Sequence, residues 1–316
     1  MSLIRLSAIS PALIALFLSF NVSAQDNNSA SGAAKTNQVE VKTDKLFRWA
    51  SAQPPKPRPI AIYYGYPSLV NGANGDLDKA ARTFDAYSIL VIGDRLELPD
   101  HPDHSNVVHL LPKLHNSKVF GYVCIGSTQK LSMEEVRRRV FAWKQTGVQG
   151  VFLDEAGRDY GVSHDRREEI IDIAHREGLS VFVNAFQPAD VFDQGTRLTK
   201  GDYYLLESFI VRNGVFDNTG LMNSRIRQAL KFRERYNIGI IGVTTTTTSF
   251  SARLYRKACT AAKGAALDGF GWGEPWFSSQ SNSLSNVSVC FETIPRRSHP
   301  GARNESGRQP LSRVIP

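Results

Sequence analysis

A single-domain α/β fold, a closed (β/α)8 barrel, is what this chain predicts, on three observations. From Pro59 onward, short β-branched or aromatic runs alternate with stretches of helical period. Eight such runs can be counted, the number of βα units a barrel of this kind needs. The first of them ends in Tyr63-Tyr-Gly-Tyr-Pro67, which is no phosphate cradle, so the rival open, doubly wound sheet lacks its glycine-rich first turn.

The expected strands are residues 60–64, 87–92, 118–124, 150–154, 180–184, 203–207, 238–243 and 269–272. Between the third and fourth, Ser132-x-x-Glu135 forms a capping box, Val136, Val140, Phe141 and Trp143 follow on one helical face, and Gly147 stops the helix. Phe141 and Trp143 therefore read as core. Residues 164–176 carry Ile170, Ile171, Ile173 and Ala174 along a stripe and end at Gly178. Ile226, Leu230 and Tyr236 repeat the pattern before the seventh strand, and residues 252–262 before the eighth.

The flanks read differently from the barrel. Arg5, an apolar stretch over residues 6–20 broken by Pro11, and Val22-Ser-Ala24 before Gln25 have the form of a secretory signal peptide, residues 1–24, too short for a stable span. Residues 25–45 are rich in Asn, Ser, Ala and Lys without periodicity and read as a disordered leader, which leaves residues 46–294 for the barrel domain. The tail, residues 295–316, holds Arg296, Arg297, Arg303, Arg308 and Arg313 against Glu305 alone. That tail and Arg5 account for most of the net charge of +8, so the remaining charge, about +3, argues for no nucleic-acid surface. A secreted or periplasmic location is expected, with no stable membrane insertion once the signal is removed.

Three cysteines, at 124, 259 and 290, are too few for a disulfide framework. Cys124 on a strand and Cys259 on a helix face read as buried thiols, with a Cys259–Cys290 bridge as the alternative.

In barrels of this kind the chemistry gathers at the carboxyl ends of the strands. Residues there are Tyr63, Tyr64 and Tyr66; Asp94 and Arg95; Tyr122 and Cys124; Asp154 and Glu155; Asn184 and Phe186; Glu207; Thr244 to Thr246; and Trp272, Glu274 and Trp276. Two apolar strands end in acids, Asp154 with Glu155 beside it and, 53 residues beyond Asp154, Glu207. An apolar strand has no structural use for such an acid, because burying an unpaired carboxylate is costly. Alternation puts Asp154 on the side of Phe152 and Glu155 opposite or in the following loop. Second-neighbour strands place their ends about 9–10 Å apart at the backbone, compatible with either the retaining or the inverting spacing of a glycosidase acid pair. Acids, an amide and aromatic rings together suit a sugar, so Asp154, Glu207 and Glu155 are the expected catalytic set. Tyr63, Tyr64, Tyr66, Asp94, Tyr122, Asn184, Trp272 and Glu274 are the expected substrate contacts.

On Ile60-Ala-Ile-Tyr-Tyr64, Gly147-Val-Gln-Gly-Val-Phe-Leu-Asp-Glu155 and Glu207, over about residues 59–276, the chain resembles the spherulin-4-like proteins and, more distantly, the polygalactosaminidase-type glycoside hydrolases. The resemblance implies a barrel with an Asp-Glu pair after the fourth strand and a Glu after the sixth. It also implies endo-hydrolysis of a secreted amino-sugar polymer.

Other chemistries find less support. Asp100-His-Pro-Asp-His104 with His109 and His115 fits no zinc spacing, and HExxH is absent, so no metal and no cofactor are expected. Ser127 and Ser208 lack a nucleophile elbow. Thr244 to Thr248 read as strand edge and cap. A non-catalytic carbohydrate-binding or matrix protein on the same barrel is the alternative to a hydrolase. A barrel phosphodiesterase would need a metal site that these residues do not form.

Overall fold

The computed structural model describes residues 56–93, 95–217 and 219–285. Asp94, the signal and leader segments, Cys290 and the basic tail lie outside them.

Eight parallel strands close into a barrel, as the alternation predicts. In chain order they are β1 (Arg58–Tyr63), β2 (Ile89–Ile92), β3 (Lys118–Cys124), β4 (Gly150–Asp154), β5 (Ser180–Asn184), β6 (Tyr203–Glu207), β9 (Gly239–Val243) and β10 (Gly269–Gly271). A two-stranded antiparallel hairpin, β7 (Val211–Arg212) and β8 (Val215–Phe216), interrupts the connection after β6. The helices are α1 (Leu77–Phe84), α2 (His104–Leu110), α3 (Met133–Thr146), α4 (His164–Arg176), α5 (Pro188–Phe192), α6 (Gly220–Tyr236) and α7 (Ala252–Gly264). Around the barrel each strand pairs with its chain neighbour, and β1 closes the ring on β10.

Two apolar layers hold this arrangement. Inward positions form one cluster, with Ile60 and Ile62 from β1, Phe120 from β3, Phe152 from β4, Phe182 from β5, Tyr203 and Leu205 from β6 and Ile241 from β9. The intervening positions, such as Ala61, Val119, Val151 and Tyr204, pack against the helices in the larger cluster. Because the period is 2, one residue's orientation fixes that of its whole strand.

The helix signals act as read. Ser132 Oγ accepts from Glu135 N at 3.1 Å, and Gly147 closes α3 in the left-handed region at φ 94°. Trp143 is fully buried and its Nε1 donates to Tyr122 O at 2.9 Å. A Cβ on Gly121 would lie 2.0 Å from the Trp143 ring, so the indole needs glycine beneath it. Phe141 departs from expectation: it is 53% exposed, because the face of α3 turned to the barrel is that of Val136, Val140 and Trp143.

Cys259 also departs from expectation. It is disulfide-bonded, whereas Cys124 is a buried free thiol. The expected bridge partner, Cys290, lies outside the described residues.

Candidate active site

The mouth is built by continuing the inward alternation one step past the apolar layer. Phe152 leads to Asp154 on β4, Phe182 to Asn184 on β5, Leu205 to Glu207 on β6, Phe120 to Tyr122 on β3 and Ile62 to Tyr64 after β1. Three neighbouring strands thus bring Asp154, Asn184 and Glu207 to one place. The side chains meet: Asn184 Nδ2 donates to Asp154 Oδ1 at 2.8 Å and to Glu207 Oε2 at 2.8 Å. Two acceptors equidistant from one nitrogen can be no farther apart than twice that length, so these oxygens are at most about 5.6 Å apart.

Asp154 has a second donor, Tyr122 Oη at 2.9 Å on its Oδ2. Burial, and then the Glu207 charge, push its carboxyl up to about 7, while the Asn184 and Tyr122 donors oppose the rise. Near neutral pH the Asp154 carboxyl is therefore only partly ionised.

Glu155 goes elsewhere. Its backbone is left-handed, φ 56°, and its side chain is held at the start of the β3–α3 connection. There Oε2 accepts from Thr128 N at 2.9 Å and from Cys124 Sγ at 3.4 Å, and Oε1 accepts from Thr128 Oγ1. Burial, then the Glu155 and Asp154 charges, push the Cys124 thiol up to about 12, so it stays a neutral donor. Gly126 makes room, since a Cβ there would fall 2.5 Å from Glu155 Cβ. The two consecutive acids therefore have separate sets of partners.

The expected substrate contacts divide in the same manner. Tyr64 lies inward, its ring edge-on to Tyr122 at 5.1 Å and to Phe277 at 5.4 Å, and forms an aromatic wall beside the acids. Tyr66 is on the rim, 37% exposed, next to the His101 ring at 5.4 Å. Tyr63 points outward instead; it is fully buried and its hydroxyl donates to Tyr66 O at 3.0 Å. Trp272 shares that outer layer, edge-on to Phe250 at 5.1 Å. Glu274 is buried and accepts from Ser285 N at 2.7 Å, tying down the segment after β10. Thr244 and Thr245 are strand-end caps, to Gly273 N and Asn213 N.

Two residues were not foreseen. Tyr160, at the end of the 3-10 turn Arg158–Tyr160, has its phenol pushed up by burial and then by the Glu207 and Asp154 charges. No strand period reaches into that loop, so no sequence signal could have found it. Phe277 reaches the inner layer from Pro275–Ser278, where Trp276, Phe277 and Ser278 are all left-handed at φ 54°, 47° and 68°. Such clustered backbone strain is found where a loop must hold a functional shape.

The Asp-His segment after β2 is structural: Asp103 accepts from Ser68 N at 3.0 Å and from Ser68 Oγ at 2.6 Å. Among the described residues no three His, Cys, Asp or Glu side chains form a group that could hold a metal, and no helix is long and apolar enough to cross a membrane. A groove of about 330 Å³ lined by Arg158, His164, Asp190 and Asp193 opens between the β4–α4 connection and α5 and includes neither acid of the pair.

No family model and no curated protein matches the sequence. Among solved structures, the GH99 endo-alpha-mannosidase from Bacteroides thetaiotaomicron is similar at a TM-score of 0.51 and 12% identity, over 70% of this chain and 84% of that one. The glycoside hydrolase domain of PelA from Pseudomonas aeruginosa is similar at 0.45 and 12%, over 72% of this chain and 100% of that one. The former likeness is one of barrel fold.

Proposed function

We propose that this barrel is an exported, endo-acting glycoside hydrolase that cleaves an amino-sugar-containing exopolysaccharide with retention of configuration. The observation that carries the reading is the Asn184 amide with one carboxylate on each of its protons. Its two acceptor oxygens, at most about 5.6 Å apart, accord with the close spacing of a retaining pair. The barrel likeness to an endo-mannosidase and the resemblance to polygalactosaminidase-type sequences point in the same direction. A disulfide at Cys259 accords with export to an oxidising compartment.

Asp154, met by two fixed neutral donors, is the nucleophile. It attacks the anomeric carbon while Glu207 gives its proton to the leaving oxygen; Glu207 then takes a proton from the water that releases the glycosyl group. Asn184 holds the two acids in register, and the Tyr64, Tyr122 and Phe277 rings offer aromatic surface to a pyranose. Glu155 acts by holding the start of the β3–α3 connection.

The test is reducing-end release from amino-sugar polymers by the wild type, Asp154→Asn and Glu207→Gln. Each variant is expected to lose at least about 1,000-fold in kcat with its circular dichroism unchanged. Wild-type cleavage by either variant removes the assignment. Polymer binding without new reducing ends in the wild type would make the barrel a carbohydrate-binding protein instead.

A further inference from the structure

The last main-chain carbonyls of β4 and β5 are each held by an amide just past the preceding strand: Ile125 N donates to Asp154 O at 3.1 Å and Ala156 N to Asn184 O at 2.8 Å. The next rung differs. Among the described residues no amide from the segment after β5 reaches Glu207 O, and its partner is instead Arg225 Nη1 of α6 at 3.1 Å. The same guanidinium donates through Nε to Phe186 O at 2.7 Å, so it spans the gap between the β5 connection and the end of β6. Tyr204 Oη ties the intervening Ala185 O at 2.6 Å.

Arg225 is 1% exposed and its guanidinium carbon lies 4.1 Å from the centre of the Phe186 ring. A buried cation is costly unless its donors and its charge are both used. Nε and Nη1 go to carbonyls rather than to a carboxylate, Nη2 has no hydrogen-bond partner among the described residues, and the charge acts on Tyr204 and then on Glu207.

We propose that Arg225 is a positioning residue for the acid pair, a guanidinium strut that replaces the missing main-chain rung between β5 and β6 and so keeps Glu207 in register with Asn184. The charged and titratable groups around the pair are Tyr122 and Cys124 from β3, Glu155, Asp159 and Tyr160 from the β4 connection, Arg225 from α6 and, farther out, Arg212 of the hairpin. Arg225 is the buried cation of this set, and Glu207 is the member of the pair that its charge meets. The kinetic part of its role rests on the hydrolase reading; the electrostatic part does not.

The test uses the full chain with Arg225→Met and Arg225→Lys, and two readouts. In Arg225→Met, kcat for polymer cleavage is expected to fall about 100-fold with KM within about threefold, the signature of a misplaced catalytic group. Arg225→Lys should recover about tenfold of that loss, because a point charge serves one carbonyl where the fork serves two. The second readout needs no substrate: the infrared band of the protonated carboxyl that Asp154→Asn removes is titrated in each variant. Without the cation, its disappearance should move up by about one pH unit in Arg225→Met and stay near wild type in Arg225→Lys.

A folded Arg225→Met with wild-type kcat and titration overturns the proposal, as does a loss in which KM and thermal stability change together while the titration stays put. Should Arg225→Met fail to fold, Arg225→Lys decides alone, and wild-type kcat in it overturns the strut. If the wild type cleaves no glycan, the hydrolase reading fails, and the titration still decides whether Arg225 serves the pair.

Discussion

The two ends of the barrel treat charge in opposite ways. At the amino ends, Lys118 Nζ lies 5.2 Å from the centres of both the Phe120 and Tyr203 rings and donates to Ser180 Oγ at 2.8 Å and Gly201 O at 3.0 Å. Arg58 Nη2 adds a bond to Tyr203 Oη at 3.1 Å. Each cation there is met by π-faces and acceptors. At the carboxyl ends, two acids face each other across one amide, and the groups that bond them, Asn184 and Tyr122, are neutral. A barrel whose only task was to fold would place like charges apart. Rings and neutral acceptors stabilise the cations at the base, whereas the paired acids at the mouth keep a proton mobile near neutral pH, which acid-base chemistry requires.

Asn184→Ala gives the largest expected effect that breaks this contrast. It removes the donor shared by both acids and lets them drift or admit water between them. We expect kcat to fall by about 100-fold to 1,000-fold. The pH profile sharpens the point. In the wild type, kcat/KM should rise as pH rises through about 7, where the Asp154 nucleophile loses its proton. In Asn184→Ala the limb should shift upward, because a donor to the charged form is gone. Steady-state rates across pH 4–10 measure both, and an unmoved limb with intact kcat would mean that the amide is incidental.

The second effect concerns stability. Asp154 has its folded pKa raised from 3.8 to about 7, so its contribution to folding is fully present below about pH 4 and is lost as pH rises through about 7. Asp154→Asn has no such loss. The variant should therefore equal the wild type in urea-unfolding free energy at about pH 4 and exceed it at pH 8. The full shift corresponds to about 4 kcal/mol, and with water in an open mouth the expected gain is about 2 kcal/mol. A variant less stable than wild type at pH 8 would place Asp154 with the structural groups of the base.

Much of this contrast was legible in the sequence, for one reason: the period of 2 carries from an apolar strand into the polar residue after it. Four strands, β3 to β6, keep their expected bounds, and the parity of Phe152, Phe182 and Leu205 hands Asp154, Asn184 and Glu207 to the mouth. The same parity would have turned Tyr63 outward with Ala61 and Trp272 outward with Phe270, had it been applied there. What could not be read lies where the period stops. The left-handed turn at Glu155, the hairpin after β6, Tyr160 in its loop and the Arg225 contacts with β5 and β6 all depend on spatial neighbours that strand periodicity does not encode.

The smallest expected effect comes from the base. Lys118→Met keeps most of the aliphatic stem against the Phe120 and Tyr203 rings but removes the ammonium with its two hydrogen bonds and two ring contacts. Gly201 is exposed, so water can take over at its carbonyl, and the net cost should be about 1 kcal/mol, or a fall of about 2–4 °C in Tm for a domain of this size. Kinetics should not follow. Between Lys118 and Asp154 stand the packed rings of Phe120, Phe182 and Phe152, with centroids 5.6 Å and 5.2 Å apart in sequence around the inner layer. Close-packed rings in single rotamers transmit little of a lost surface contact. A kcat unchanged within about twofold, read beside the lowered Tm, would keep the two ends independent. A kcat that fell with Tm would mean that the aromatic layer couples the base to the acid pair, and the division between a stabilising end and a reactive end would have to be abandoned.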